Sequence, residues 1–192
     1  SYGPLLIMWF DVPQEFNRQR GLGLEQWTRS LQPDIIINNR SGADGDYDTP
    51  EQQVGKFQIH RPWETCMTMG GSWAYNPQET KWKEPKHLVR NLVNVVSRGG
   101  NYLLNIGPTA EGLFPQASIE RLAEIGAWMK VNGPAIYATR PIAPCKEGKV
   151  CYTALKDGTV FAIYLADEDE AGVYLLRLDP STVDTSAMAA DL

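Results

Sequence analysis

Over the first two thirds of the chain, apolar runs of strand length alternate with segments of helical period. That alternation predicts repeated β-α units around a parallel sheet. The run Leu5-Leu6-Ile7-Met8-Trp9-Phe10 reads as a buried strand. A helix is expected over 24–31, stopped by Pro33, whose ring and missing N–H end it. Ile35, Ile36 and Ile37 build a second strand over 34–38. From 41 to 62 the composition turns to Gly, Asp and Gln, a long loop of the kind that is usually functional in a compact domain. A third strand is expected over 63–69. Pro85 opens a helix in which Leu88, Leu92, Val95 and Val96 recur at helical spacing, and Gly99-Gly100 closes it. A fourth strand follows over 102–106. Ile119, Leu122, Gly126 and Met129 mark one face of a last helix, which ends at Gly133.

Near Pro141 the pattern changes. Residues 149–156, 159–166 and 173–178 are strand-like with no helices between them, which predicts an antiparallel appendage that stops unfinished. The acidic turn Asp167-Glu168-Asp169-Glu170 reads as solvated. At the other end the first strand starts with no element to introduce it and no secretory leader pattern, so a preceding segment is expected.

Composition narrows the partners. Of 192 residues, 43% are hydrophobic and 21% charged, enough for a sizeable core. The net charge of -5, with Lys and Arg scattered, argues against a nucleic-acid surface, and no apolar run is long enough to cross a membrane. Six Trp and eight Tyr exceed what a core needs, and aromatic faces in clefts commonly stack on sugar rings or other flat apolar surfaces. Cys66, Cys145 and Cys151 have no zinc-type spacing; Cys145 and Cys151 are close enough to bridge locally.

In parallel β/α folds the reactive side chains lie just past the carboxyl ends of strands. Asp11 follows the first strand and Arg40 the second, while Glu64 lies on or beside the third. Singly, each has a plainer reading: Asp11 as a turn cap, Glu64 as a solvated loop carboxylate, Arg40 as a surface ion-pair partner. Together, two carboxylates and a cation are what a retaining glycosidase requires, one group attacking the anomeric carbon and the other protonating the leaving oxygen. Trp63, Met67 and Trp73 would help Glu64 keep its proton. Glu51 and Glu79, in the flanking loops, are the next carboxylates to consider.

Tyr2-Gly3-Pro4 with Leu6-Ile7-Met8-Trp9-Phe10-Asp11, then Pro33-Asp34-Ile35-Ile36-Ile37-Asn38-Asn39-Arg40, Trp63-Glu64-Thr65-Cys66-Met67-Thr68 and Gly99-Gly100-Asn101-Tyr102-Leu103-Leu104-Asn105-Ile106-Gly107-Pro108 form four ordered blocks. They resemble successive blocks of glycoside hydrolase family 29, the α-L-fucosidases. Asn132-Gly133 and Ala135-Ile136-Tyr137 extend the likeness to about residue 141. The resemblance implies Asp11 as nucleophile, Glu64 as acid/base, and Trp9 and Arg40 lining the fucose site. It also implies that Trp73 and Tyr75 touch the sugar or leaving group. Asn101, Asn105 and Gly107 read as structural. His60, four residues before Glu64, is a further substrate-binding candidate; His87 falls in a helical pattern. The chain departs from the family in having Val12 after the nucleophile and Pro134 where an acidic residue is usual. It also lacks the adjacent histidines of the family's first half-barrel.

The fold expected from the resemblance is half of a (β/α)8 barrel, about four β/α units over 1–141, followed by a truncated antiparallel β segment over 142–192. Such a half-barrel leaves edges and an apolar face uncovered, so a homo-oligomer that completes it is expected. The implied activity is hydrolysis of terminal α-L-fucosides on oligosaccharides or glycoconjugates, through a covalent fucosyl-aspartate, with no metal or organic cofactor. Two other readings stand beside it: a non-catalytic sugar-binding or assembly fragment, and a glycosidase of the same mechanism acting on a related sugar such as an α-galactoside.

Overall fold

A computed structural model describes residues 3–11 and 16–166, and the backbone of 173–178. Val12, the acidic turn 167–170 and the end of the appendage lie outside the described residues. The elements follow the order the pattern predicts. Strand β1 (Ile7–Met8) leads to helix α1 (Arg18–Leu31), longer than expected because Asn17 caps it, its side chain accepting from the Arg20 N–H at 3.0 Å. Strand β2 (Ile36–Ile37) follows, then β3 (Glu64–Thr68), α2 (Pro85–Val96), β4 (Asn101–Asn105) and α3 (Gln116–Asn132). A short 3-10 turn, Gly133–Ala135, precedes four antiparallel strands, β5 (Arg140–Glu147), β6 (Val150–Ala154), β7 (Val160–Leu165) and β8 (Val173–Leu178).

Strands β1 and β2 are parallel, with Ile7 opposite Ile36, and β3 and β4 are parallel, with Glu64 opposite Asn101 and Thr68 opposite Asn105. The stretch expected to be wholly loop joins the two pairs. Within it, Tyr47 forms a parallel bridge to Asn38, and Asp48 and Glu51 form parallel bridges to Trp63 and Cys66. Residues 47–51 thus behave as a short strand between β2 and β3. Tyr47 and Thr49 are buried while Asp48 and Pro50 are half-buried, the two-residue alternation of a pleated segment. Pro50 has no N–H to give, but its carbonyl accepts from the Cys66 N–H at 3.1 Å, so the ladder continues. Asp, Pro and Gly in the flanking sequence conceal this strand from a propensity reading.

Helix α2 buries Leu88, Val89, Val93 and Val95, and Gly99, at φ +89, turns the chain into β4. On α3 the packed residues are Ile125, Trp128 and Met129; Ile119, expected on that face, is 46% exposed. The antiparallel sheet packs its described buried side chains against the helical layer. Cys151, Phe161, Ile163 and Leu165 pack with Val89 and Val93 of α2 and with Ala135 and Ile136 in one buried cluster. The Thr153 hydroxyl donates to the Ala135 carbonyl at 2.8 Å. Cys145 and Cys151 are free thiols, the register setting Cys151 opposite Lys146 instead.

Asn38 is fully buried and fixes where β1 ends. Its Nδ2 donates to the Phe10 carbonyl at 2.8 Å and its Oδ1 accepts from the Phe10 N–H at 2.9 Å, one residue before Asp11. Asn38→Ala leaves both Phe10 backbone groups without these partners. Urea denaturation of this variant is expected to show a loss of about 2 kcal/mol of stability, from two hydrogen bonds at roughly 1 kcal/mol each; an unchanged midpoint would refute the clamp.

Candidate active site

Each of four successive parallel segments contributes a residue to one cleft. Asp11 lies past β1, Arg40 past β2, Glu51 at the end of the 47–51 segment, and Cys66 projects from β3; Trp9, Trp73, Leu103 and Asn105 complete the wall around about 340 Å³. The cleft opens at the carboxyl ends of the strands, as expected of parallel β/α folds.

Arg40 organises it. Its side chain is only 14% exposed and every nitrogen is engaged. Nε donates to the Thr49 hydroxyl at 2.8 Å; Nη2 donates to the Thr49 carbonyl at 3.1 Å and to the Cys66 sulfur at 3.2 Å. Nη1 contacts Asp11 Oδ1 at 3.3 Å and Glu51 Oε2 at 2.9 Å. The guanidinium lies 5.5 Å from the centre of the Trp9 ring, a cation-π distance, and Trp9 meets Tyr47 edge to face. Thr49 is itself held by Asn39, whose Oδ1 accepts from the Thr49 N–H at 3.1 Å and hydroxyl at 2.7 Å.

The charges follow from this packing. Burial opposes the charge on Arg40, but Cys66, Glu51 and Asp11 outweigh it and raise its pKa, so the cation is permanent. Burial pushes the Cys66 thiol up against the pull of Arg40, so the thiol stays protonated. Burial, reinforced by the nearby charge of Glu64, raises Tyr47 to about 12.

Of the residues singled out in the sequence, Trp9, Asp11, Arg40 and Trp73 meet in the cleft. Glu64, His60 and Tyr75 do not line it. Glu64 is the first residue of β3, two positions before Cys66 and therefore about 6.6 Å nearer the amino end of the strand. His60 lies still earlier in the chain, on the exposed approach to β3, its N–H donating to the Gln58 side chain at 2.9 Å. Tyr75 lines a neighbouring pocket of about 220 Å³ with Ala74, Glu79 and Gln116. Glu51 is the carboxylate that occupies the cleft opposite Asp11. The signal that could have selected it is the Tyr47-to-Glu51 alternation, which ends a strand on an acid as Leu5 to Asp11 does.

The amides read as structural do hold the rim. Asn105 Nδ2 donates to the Trp73 carbonyl at 2.8 Å, and a Cβ on Gly107 would come within 2.5 Å of the Tyr75 nitrogen. Both fix the loop that carries Trp73 over the cleft.

Known proteins share this arrangement of segments. The family model of α-L-fucosidase matches residues 1–134. The tissue α-L-fucosidase of Homo sapiens is 34% identical over an alignment covering 97% of this chain and 43% of that protein. That of Mus musculus is 35% identical over 70% of this chain and 32% of its own length. Among solved structures, α-L-fucosidase isoenzyme 1 from Paenibacillus thiaminolyticus superposes with a TM-score of 0.78 at 35% identity, covering 85% of this chain and 43% of that one. A family 29 α-L-fucosidase from Bacteroides thetaiotaomicron, trapped as a covalent intermediate in complex with 2-fluoro-fucosyl fluoride, gives 0.74 at 26% identity over 83% of this chain and 43% of its own. The chain spans between 32% and 43% of the length of these relatives. With its strand-end residues, its α/β architecture and the extent of these matches, the chain belongs to the α-L-fucosidase family.

Proposed function

We propose that this chain carries the reacting carboxylates of a retaining α-L-fucosidase, Asp11 as nucleophile and Glu51, in place of Glu64, as acid/base. The observation behind this reading is the shared contact with Arg40. Two carboxylate oxygens held by one nitrogen at 3.3 and 2.9 Å can be no more than about 6 Å apart, a closeness compatible with the 5 to 5.5 Å between the carboxyl groups of retaining pairs.

In the first step an Asp11 oxygen bonds to the anomeric carbon while the bond to the leaving oxygen breaks, and Glu51 delivers its proton to that oxygen. In the second, Glu51 takes a proton from water, the hydroxide oxygen bonds to the anomeric carbon and the Asp11 ester bond breaks. Arg40 stabilises Asp11 as the departing carboxylate, and the Trp9 and Trp73 rings offer faces for the sugar. Terminal α-L-fucosides of oligosaccharides or glycoconjugates are the substrates, in keeping with the family.

Burial holds the Glu64 carboxyl above its usual range, which by itself suits a general acid. Position outranks pKa, because an acid must reach the leaving oxygen. Desolvation is the whole cause of the shift, so Glu64 reads as a carboxylate enclosed beside Tyr47 below the site.

One observation favours the non-catalytic alternative: Asp11 is 73% exposed in a chain that spans 43% of its human relative. A mutually closing pair reconciles this exposure with catalysis. The ladder from β1 to β4 is then half of a (β/α)8 barrel, and a second copy covers its apolar positions, with Leu6 74% and Ile7 46% exposed.

Three outcomes are expected. In Glu51→Ala, kcat/KM should fall 100-fold or more for aryl fucosides with poor leaving groups and about tenfold or less for dinitrophenyl fucoside, since a good leaving group needs no proton; Glu64→Ala should show no such discrimination. The opposite pattern would return the role to Glu64, and absence of all aryl-fucoside turnover in the wild-type chain would favour the non-catalytic reading. Glu64→Gln should change stability with pH. The folded-state pKa of Glu64 lies above the ordinary 4.5, so its contribution is complete below that value and is lost as pH rises through the folded pKa. The variant should match wild type in thermal midpoint near about pH 4 and exceed it at pH 7; a lower midpoint at pH 7 would contradict the assignment. Light scattering of the dilute 192-residue chain should give a multiple of the 21.4 kDa monomer, and a well-folded monomer would rule out self-completion.

A further inference from the structure

Gln52, the residue after Glu51, has φ +54, a left-handed backbone that non-glycine residues rarely adopt. Such a backbone persists only where its surroundings over-determine it. Its N–H donates to the Cys66 carbonyl at 2.9 Å, closing the parallel bridge between Glu51 and Cys66. Its side-chain amide then grips Thr68 with both ends: Nε2 donates to Thr68 Oγ1 at 2.9 Å, and Oε1 accepts from the Thr68 N–H at 3.3 Å.

Thr68 is a fixed anchor. It is 2% exposed at the last position of β3, its hydroxyl donates to the Gly70 carbonyl at 2.6 Å, and Lys83 Nζ donates to its carbonyl. Lys83 is held with its pKa depressed by burial, partly opposed by Glu79. Gln52 itself is exposed. Its strained turn therefore serves no core packing, and what it sets is the direction in which the preceding residue leaves the strand.

We infer that Gln52 is a positioning residue: its left-handed turn and its amide clamp on Thr68 aim the Glu51 carboxylate at Arg40 and at the leaving oxygen. The inference rests on the acid/base reading of Glu51. Without the clamp, residue 52 relaxes toward ordinary backbone angles and the carboxylate swings from the nitrogen it shares with Asp11. Strained backbone beside a reacting group is a recurrent way of pre-organising it.

The test compares Gln52→Ala, Gln52→Gly, Glu51→Ala and the double variant Glu51→Ala/Gln52→Ala in the 192-residue chain, using aryl fucosides of graded leaving-group pKa. Gln52→Gly removes the amide while tolerating the positive φ, so it reports on the clamp even if Gln52→Ala folds poorly. Both Gln52 variants should lose at least tenfold in kcat/KM with poor leaving groups and less than threefold with dinitrophenyl fucoside, a discrimination that general destabilisation does not produce. In the double variant the Gln52 change should add less than a twofold loss, because the group it aims is gone. Equal slowing of all substrates, an unaltered profile, or additive losses in the double variant would overturn the role of Gln52 while leaving Glu51 in place. If Glu51→Ala itself shows no discrimination, the acid/base reading fails, and the inference falls with it.

Discussion

A single guanidinium holds the site together. Arg40 is brought largely out of water, which costs several kcal/mol for an unpaired charge, and its surroundings offset that cost at every nitrogen. Thr49 and Cys66 fix its plane, Trp9 covers its face, and the one nitrogen left over meets Asp11 and Glu51 together. Two ionised carboxylates this close would repel, and the acid role requires that Glu51 carry a proton when it meets the leaving oxygen. The cation between them lets both stay near each other before a substrate arrives, and it does so with the rigid fork geometry that a lysine could not reproduce.

The parallel ladder makes that meeting possible. Asn38 pins the end of β1, so Asp11 emerges at a defined height, and the bridges from Tyr47 to Glu51 carry the second carboxylate up beside β3 to the same level. Because successive parallel segments all end on one side, four residues distant in sequence converge with no long-range loop to place them. None of the described side chains of the antiparallel sheet lines the cleft. By packing Phe161 and Ile163 on Val89 and Val93, the sheet covers the outer face of α2, the helix that links β3 to β4.

Much of this was legible from the chain alone. Strand-length apolar runs located β1 to β4, Pro85 and Gly99 bracketed α2, and the acid directly after Leu5 to Phe10 was marked as reactive. Glu51, the acid/base of our proposal, stood in the sequence only as a fallback behind Glu64, for a physical reason. Between Ser41 and Pro62 the residues that form a strand are Tyr, Asp, Thr and Pro, whose pairing depends on neighbours and not on intrinsic preference. Glu64, by contrast, sits in a clear apolar strand, and apolar neighbours do raise its pKa, but it opens the strand where the cleft lies at the other end. Periodicity locates a strand; which end of it faces the site has to be read from direction. Tyr75 fell outside the cleft for a related reason, since a Gly-rich turn leaves the separation between Trp73 and Tyr75 open until Asn105 and Gly107 seat the loop.

The central claim, that Asp11 attacks while Glu51 serves as its partner across Arg40, is tested most directly by locating the covalent bond. The chain would be incubated with 2-fluoro-fucosyl fluoride, whose activated leaving group departs without acid help, then digested and its peptides sequenced by mass spectrometry. The account predicts one fluorofucosyl ester, on Asp11, that also forms in Glu51→Gln but turns over more slowly there. An ester on Glu51 or Glu64, or a chain that takes up no label, would contradict it.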